Sequence, residues 1–235
     1  MVRACGSKQH RRAKLRLFGR RPPLSLGDPN PGFSGRQYVR EAGGHRCGRR
    51  CRQRHDDIVE ALVAKASTLT VGNPTDVSTF FGPQVSAAQQ ARVTGRIASG
   101  IEQGARLVMG GLGMPKGLRT GHFVRPTIFA HVDNRMEIAR RAIFGPVMSV
   151  IPYDDVEDAL QITNDSDYGL FGAVWTNDAA VGLDIARRVR AGTIKVNAAR
   201  QDFLAPFGGI KQSGLGRTFG SSGMDDYTAH KSIWV

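Results

Sequence analysis

The sequence predicts an α/β fold in which a parallel βαβαβ unit follows an Ile-Phe-Gly-Pro loop at residues 143–146. Three short apolar runs have the length of buried strands, and helical patterns separate them. Strands joined through helices pair in parallel with right-handed crossovers, so the three should share one sheet. The Gly-Pro pair interrupts the preceding helical pattern and makes the loop the turn into the first strand. The predicted strands cover residues 147–152, 170–175 and 193–196.

Acidic residues open both helices of this unit. Asp154 and Asp155 precede the first apolar helical stripe, and Asp178 precedes the second. Negative charge near a first turn interacts favourably with the helix dipole. The two helices should therefore begin at these residues and cross between the strands.

Upstream of the loop, ordered structure is expected to begin after Arg54. Ile58, Leu62 and Val63 recur at helical spacing, and the acidic residue Asp56 falls in the expected first turn. These positions predict an amphipathic helix.

A second helix and two extended segments are predicted between that helix and the loop. Ser86 with Gln89 three residues later has the capping-box pattern, and Gly104 marks the end of the helix. A short strand over residues 106–109 and an extended segment over 122–130 follow.

The net charge of +13 belongs to one segment of the 235 residues. Residues 1–54 hold 15 lysine and arginine residues against two acids, whereas the remaining 18 basic and 18 acidic residues balance. All three cysteines, Cys5, Cys47 and Cys51, also precede Arg54, so no disulfide framework is indicated. Without a long apolar run or a secretory signal pattern, the expected location is the cytoplasm.

This basic segment is expected to be poorly ordered, because its Pro-Gly turns have no apolar periodicity around them. Clustered cations could form a nucleic-acid arm, and His45, Cys47, Cys51 and His55 have ligand-like spacing for zinc. We favour a solvated basic tail or sequence translated out of frame, and expect neither nucleic acid nor metal.

Residues after the third strand include further candidate binding groups. Asn197 lies at the carboxyl end of that strand, where open α/β sheets place their sites, although loop asparagines are also common turn formers. The glycine-rich stretch 206–217 has one lysine and one arginine, but lacks the spacing of a phosphate loop. Residues 227–235 alternate weakly and are predicted to form an edge strand.

Seven motifs follow one another along the chain: VGNP (71–74), FGPQVS (81–86), FVRPTIF (123–129), IFGPV (143–147), NDSDYGL (164–170), AGTIKVN (191–197) and PFGGIKQSGLGR (206–217). In this order and spacing they resemble the C-terminal third of the NAD(P)-dependent aldehyde dehydrogenases. The resemblance covers residues 55–235 and leaves 1–54 unrelated. It implies a truncated catalytic domain over 55–217 and an oligomerisation segment over 218–235.

In that family a cysteine thiolate attacks the aldehyde, hydride passes to NAD or NADP, and water hydrolyses the thioester. The resemblance implies that Phe144 lies beside the nicotinamide ribose and that Asn197 lies near the substrate channel. It also implies that the terminal strand pairs across subunits, either in a homo-oligomer or with another family member.

Departures from the family pattern argue against activity. The nucleophile's expected position holds Ala42, and the nearest cysteine, Cys47, is displaced into the arginine-rich segment. Ala142 stands where the family has a glutamate that holds the ribose hydroxyls. We therefore assign no catalytic residue beyond Cys47 as a weak candidate, and expect neither NAD nor NADP to bind this chain.

Three functions remain open at this stage. The chain is expected to be an inactive family fragment whose ancestral reaction is the oxidation of an aldehyde to a carboxylate. It could instead be an assembly module that docks on a full-length family member, or half of a split enzyme. The abrupt change at Arg54 also suggests a frameshift, which translation of the other two frames would test.

Overall fold

The computed structural model describes residues 55–197 and 202–234 in full, and the backbone alone of 37–39 and 48–54. Helices and short strands alternate along this part of the chain. The first elements are β1 (Gln37–Val39), α1 (Gly48–Ala66), α2 (Ala87–Glu102), β2 (Arg106–Met109), β3 (Thr127–Ala130), α3 (Glu137–Arg140) and β4 (Val147–Ile151). They are followed by α4 (Val156–Asn164), β5 (Tyr168–Gly169), β6 (Phe171–Val174), α5 (Ala179–Arg188), β7 (Thr193–Val196), β8 (Ile210–Lys211) and a 3-10 helix (Ser221–Tyr227).

A four-stranded mixed sheet in the order β1-β4-β3-β2 forms the centre of the fold. β4 runs parallel to both of its neighbours, with Val147 opposite Thr127, and β2 runs antiparallel to β3. Every residue of β3 and β4 is buried, because apolar side chains pack against both faces of the sheet.

Alternate residues of these two strands point to different helices, as the two-residue period of a strand requires. On one face Met148 and Val150 pack with residues of α1, including Val59. On the other face Phe129 and Val147 pack in a cluster with residues of α2 and α3. The other members of this second cluster include Val93, Ile97, Ile138, Ile143 and Ile151.

β6, α5 and β7 form the parallel unit that the sequence predicts, with Phe171 opposite Thr193. The α/β class is confirmed. The expectation that β4 belongs to the same sheet is wrong, since β6 and β7 make a separate two-stranded sheet among the described residues. The physical reason is that β1 and β3 occupy both hydrogen-bonding edges of β4, which leaves no edge for β6.

α1 begins at Gly48, earlier than predicted. Asp56 therefore lies beyond the first turn and does not complement the dipole there. The apolar pattern marked only the stretch that packs on the sheet, and the helix continues about two turns further on its N-terminal side. None of the described helices has the length and apolar character that crossing a bilayer requires.

The C-terminal residues 228–234 form no strand within the described chain, so the predicted edge strand is corrected for the isolated molecule. A strand exists only when a neighbour completes its hydrogen bonds, and none of the described strands pairs with this segment. Tyr227, Ile233 and Trp234 are among the most exposed apolar side chains, at 82%, 76% and 94%. Pairing across subunits remains a prediction.

Candidate functional site

The loop at residues 141–146 has an exposed aromatic ring on a fixed backbone. Ile143 is buried in the core, whereas the next residue, Phe144, is 69% exposed and has φ of 54°. This left-handed conformation is uncommon for a bulky residue and persists only where the surroundings hold it. Gly145 and Pro146 are again buried, so Phe144 alone turns out of the core.

Gln89 in the first turn of α2 holds this loop. Its side-chain amide donates to the Phe144 carbonyl oxygen at 3.1 Å and to the Ile143 carbonyl oxygen at 3.4 Å. Ser86 caps the helix as predicted, because its hydroxyl accepts from the Gln89 backbone N–H at 3.2 Å. The other half of the predicted capping box is replaced by the contact between Gln89 and the loop.

A close approach at Gly145 fixes the other side of the loop. A Cβ atom there would lie 2.7 Å from both γ carbons of Val93, which is fully buried in α2. The Pro146 carbonyl accepts from the Thr127 N–H at 2.8 Å and so enters the sheet beside β3. The backbone around Phe144 is therefore held by a helix and a strand together.

Ala142 is exposed two residues before Phe144. The resemblance implies a glutamate at this position, whose carboxylate would accept hydrogen bonds from ribose hydroxyls. A methyl group accepts none. The loop thus provides an apolar surface at Phe144 but no hydrogen-bond acceptor at Ala142 for the ribose hydroxyls. For this reason the residues present do not fully fit a nicotinamide cofactor.

Asn197 forms a second cluster, at the carboxyl ends of β6 and β7. Its Oδ1 accepts from the Thr176 N–H at 2.8 Å, and its Nδ2 donates to the Thr176 carbonyl at 2.8 Å. The Asn197 backbone has φ of 50° and its N–H bonds the Val174 carbonyl. The side chain thus ties two strand ends together, which is the turn-forming role left open by the sequence, and its place in a substrate channel stays a prediction.

The glycine-rich stretch 206–217 folds back on the 164–170 motif. β8 pairs antiparallel with β5, and the Lys211 Nζ donates to the carbonyls of Asn164 and Ser166 at 3.0 and 2.7 Å. Arg217 donates to the Gly209 carbonyl at 2.8 Å. Both cations of the stretch bind backbone carbonyls in this structure.

Sequence reasoning missed a third polar cluster. His55 on α1 is buried and lies 3.2 Å from Asp56, which also lies 3.3 Å from His131 after β3. Burial lowers the pKa of His55, and the hydrogen bond with His55 lowers the pKa of Asp56. No local spacing could reveal this cluster, because 76 residues separate the two histidines.

Several predicted residues lie outside the described part of the chain. Cys47, the weak candidate nucleophile, is one of them, as are Ala42 and the possible zinc ligand His45. Cys51 is described by its backbone alone. The described structure therefore tests neither the weak nucleophile candidate Cys47 nor the disfavoured zinc alternative at His45 and Cys51.

Known proteins resemble the chain over most of its described length. The model of the aldehyde dehydrogenase family matches residues 51–233. Two curated proteins named as aldehyde dehydrogenases, from Staphylococcus saprophyticus and Staphylococcus aureus, are each 47% identical to it over 178 residues. These matches cover 76% of this chain and 38% of each relative, so the chain spans less than two fifths of their length.

Solved structures agree with the sequence matches. An aldehyde dehydrogenase of Mycobacterium tuberculosis complexed with NAD+ is 46% identical, with a TM-score of 0.77 over 85% of this chain and 39% of that chain. A mutant aldehyde dehydrogenase C of Pseudomonas syringae, complexed with NAD+ and octanal, is 38% identical, with a TM-score of 0.75 over 81% and 37%. With the family model matching most of its residues, this chain belongs to the aldehyde dehydrogenase family.

Proposed function

We propose that this chain is a catalytic-domain segment of an aldehyde dehydrogenase and that it does not oxidise aldehydes by itself. The observation that carries the proposal is the pairing of a preserved Phe144 loop with an exposed Ala142. The family reaction, NAD-dependent oxidation of an aldehyde to a carboxylate, is the ancestral activity. Relatives solved with NAD+ support this cofactor for the family.

Hydride transfer depends on holding the nicotinamide and the substrate in reacting geometry, because orientation supplies a large share of the barrier reduction. An apolar wall alone does not orient a ribose, since its hydroxyls need acceptors. Ala142 offers no acceptor, and the thiol closest to the expected nucleophile position, Cys47, lies in the arginine-rich segment. These two departures together favour inactivity of the chain.

The test is NADH production by the purified full chain with NAD+ and short aldehydes, followed by absorbance. We expect no signal above a heat-inactivated control and no NAD+ binding by calorimetry. The Ala142→Glu variant restores one acceptor and should leave the chain inactive, because Ala42 still stands at the expected position of the nucleophile. Steady NADH production by the unmodified chain, lost on replacement of Cys47 by alanine, would overturn the proposal.

A second candidate function is assembly with a full-length family member. It is supported by the exposed apolar side chains of Tyr227, Ile233 and Trp234, which the isolated chain leaves without cover. Segment 228–234 would add as a strand to a sheet edge of the partner, so that main-chain hydrogen bonds provide affinity.

Size-exclusion chromatography of the chain mixed with a full-length relative tests this assembly. A mixed oligomer is expected, and Trp234→Asp should abolish it. Leu215→Asp is the matched control, because Leu215 is 97% exposed but lies outside the terminal segment. Separate elution of the two proteins, or equal loss of the complex in both variants, would rule out docking through this segment.

A further inference from the structure

Three side chains that commonly bind metals meet between α1 and the residue that follows β3. The Asp56 carboxylate Oδ1 lies 3.2 Å from the His55 Nδ1 and 3.3 Å from the His131 Nε2. All three potential ligand atoms lie within 4.8 Å of one another. Two imidazoles and one carboxylate are a frequent protein ligand set for zinc-class ions.

Two of the three separations between these ligand atoms fit a tetrahedral ion. Zinc bonds of about 2.0 to 2.2 Å at tetrahedral angles put neighbouring ligand atoms about 3.3 to 3.5 Å apart. The two measured separations, 3.2 and 3.3 Å, are close to this range. In the metal-free chain, hydrogen bonds from the two imidazoles to the Asp56 carboxylate account for such distances. An ion would displace the protons of both bonds to solvent, since metal ligands bind in their deprotonated form.

The surrounding structure orients two of these ligands. The His55 side chain is only 4% exposed, and its Nε2 accepts from the His131 backbone N–H at 3.4 Å. This contact and the one between Nδ1 and Asp56 fix the orientation of the ring. The His55 and His131 rings lie 4.2 Å apart between centroids.

His131 has a left-handed backbone directly after β3. Its φ of 51° is left-handed, an uncommon conformation for a residue with a side chain. Such outliers persist where function or packing holds them. Here the strain places the His131 ring against both His55 and Asp56.

We propose that His55, Asp56 and His131 form a binding site for a divalent metal ion of the zinc class. The Asp56 and His131 side chains are 52% and 38% exposed, so solvent reaches the position and water would complete the coordination. The bound ion would link α1 to the central sheet and stabilise the fold, because it binds the folded chain and not the unfolded one.

This site is separate from the aldehyde chemistry. β3 and β4 are parallel and Thr127 pairs with Val147. His131 follows the carboxyl end of β3, whereas Phe144 precedes the amino end of β4. The proposed metal site and the Phe144 loop therefore lie at opposite ends of the sheet.

Cobalt substitution tests the proposal on the full chain after treatment with a chelator. We expect visible d–d absorption that saturates at one Co²⁺ per chain, without the intense charge-transfer band of thiolate ligands. The absence of that band distinguishes this site from one built on Cys5, Cys47 or Cys51. Zn²⁺ should displace the cobalt and raise the thermal midpoint.

His131→Asn is the informative variant, because asparagine tolerates the left-handed backbone while losing the imidazole. It should weaken Co²⁺ binding by at least about tenfold. Asp56→Asn should do the same at an exposed position where folding is not at risk. His122→Asn is the matched control and should bind as the unmodified chain does.

Three outcomes would overturn the proposal. They are no cobalt spectrum at all, a spectrum dominated by thiolate charge transfer, and unchanged affinity in both His131→Asn and Asp56→Asn. Circular dichroism of the metal-free variants shows whether each is folded, and a loss of binding in a folded Asp56→Asn chain supports the site even if His131→Asn does not fold.

Discussion

The side-chain amide of Gln89 donates to the carbonyl oxygen of Phe144 at 3.1 Å across 55 residues of sequence. Through this bond the first turn of α2 supports the left-handed backbone that turns the Phe144 ring outward. The conformation of the loop therefore depends on α2, which precedes it in the sequence by three elements, as well as on its own Gly-Pro pair.

Replacing Gln89 by alanine should destabilise the chain by about 1 kcal/mol, because the loop carbonyls lose a donor while the Ser86 cap remains. Urea unfolding followed by circular dichroism measures the change. Gln212→Ala is the control, since Gln212 is an exposed glutamine far along the chain and should change stability by less than about 0.5 kcal/mol. Equal effects of the two substitutions would contradict a special role for Gln89.

Gly145→Ala should cost about 1 to 3 kcal/mol, because the new Cβ would press on Val93 in a closely packed core. Introducing it together with Val93→Ala removes the clash, so the cost of Gly145→Ala in that background should fall. Gly95→Ala is the control. Gly95 lies on α2, the helix that carries Val93, and nothing lies within 4 Å of its Cβ position. It should be neutral or stabilising by about 0.5 to 1 kcal/mol. If Gly145→Ala and Gly95→Ala have the same thermal midpoint, the packing argument is wrong.

Asn197 has a left-handed backbone and two side-chain hydrogen bonds to Thr176, and two substitutions separate their contributions to stability. Asn197→Gly keeps the left-handed backbone but loses both side-chain bonds to Thr176, each worth about 1 kcal/mol. Asn197→Ala loses the bonds and also strains the backbone, so it should be the less stable of the two by about 1 kcal/mol. Denaturant unfolding gives the order, and a more stable alanine variant would show that φ is not constrained there.

The carboxyl group of Asp165 should make the free energy of unfolding depend on pH in the acid range. The hydrogen bond from Arg140 lowers the pKa of Asp165 below its ordinary value of 3.8. Because the folded state holds this carboxylate ionised more strongly than the unfolded state, its contribution is full above about pH 4 and is lost as pH falls further. The side chain is 62% exposed, so solvent screening keeps the effect small.

Thermal midpoints measured from pH 6 to pH 2 test this dependence. Asp165→Asn should lower the midpoint slightly at pH 6 and should converge with the unmodified chain at the acid end. Gln212→Ala, which removes no ionisable group at an exposed position, is the control and should follow the pH profile of the unmodified chain. Parallel profiles of the unmodified and Asp165→Asn chains would show that Arg140 contributes nothing through this carboxylate.

The chain alone should associate in solution, because its exposed apolar side chains include Leu204, Leu215 and Trp234 at 87%, 97% and 94%. Sedimentation velocity should show larger species as concentration rises, and recovery of soluble protein should be poor. A monomer over the whole concentration range, with one sharp thermal transition, would contradict this expectation.

Local features of the fold could be predicted because a few neighbouring residues determine them. Ser86 caps α2, and Asp178 caps α5 by accepting from two backbone N–H groups. Each cap depends on residues within one turn. The sequence contains the whole of the relevant interaction in such cases.

Features that depend on distant partners could not be predicted in the same way. β4 has the composition of a buried strand, but its sheet is decided by β1 and β3. Gln89 fits a capping box, yet its amide bonds the distant loop. The meeting of His131 with His55 depends on how α1 packs against the sheet, which no spacing between them encodes. The loop that holds Phe144 and the strand end that holds Asn197 could be located from the sequence, and the family resemblance supplied their expected roles. The geometry of both required the structure.

The contacts of Lys211 couple two segments of the chain, residues 164–169 and 210–213, so that they should unfold locally as one unit. Its Nζ bonds two carbonyls at the end of α4, and its own backbone pairs with Tyr168 in β5. Because the Gly169 N–H is also held by the Ser213 hydroxyl, neither segment can separate without breaking the bonds of the other. The backbone amides of 168–169 and 210–213 should therefore exchange with deuterium as one cooperative unit, at a common opening free energy.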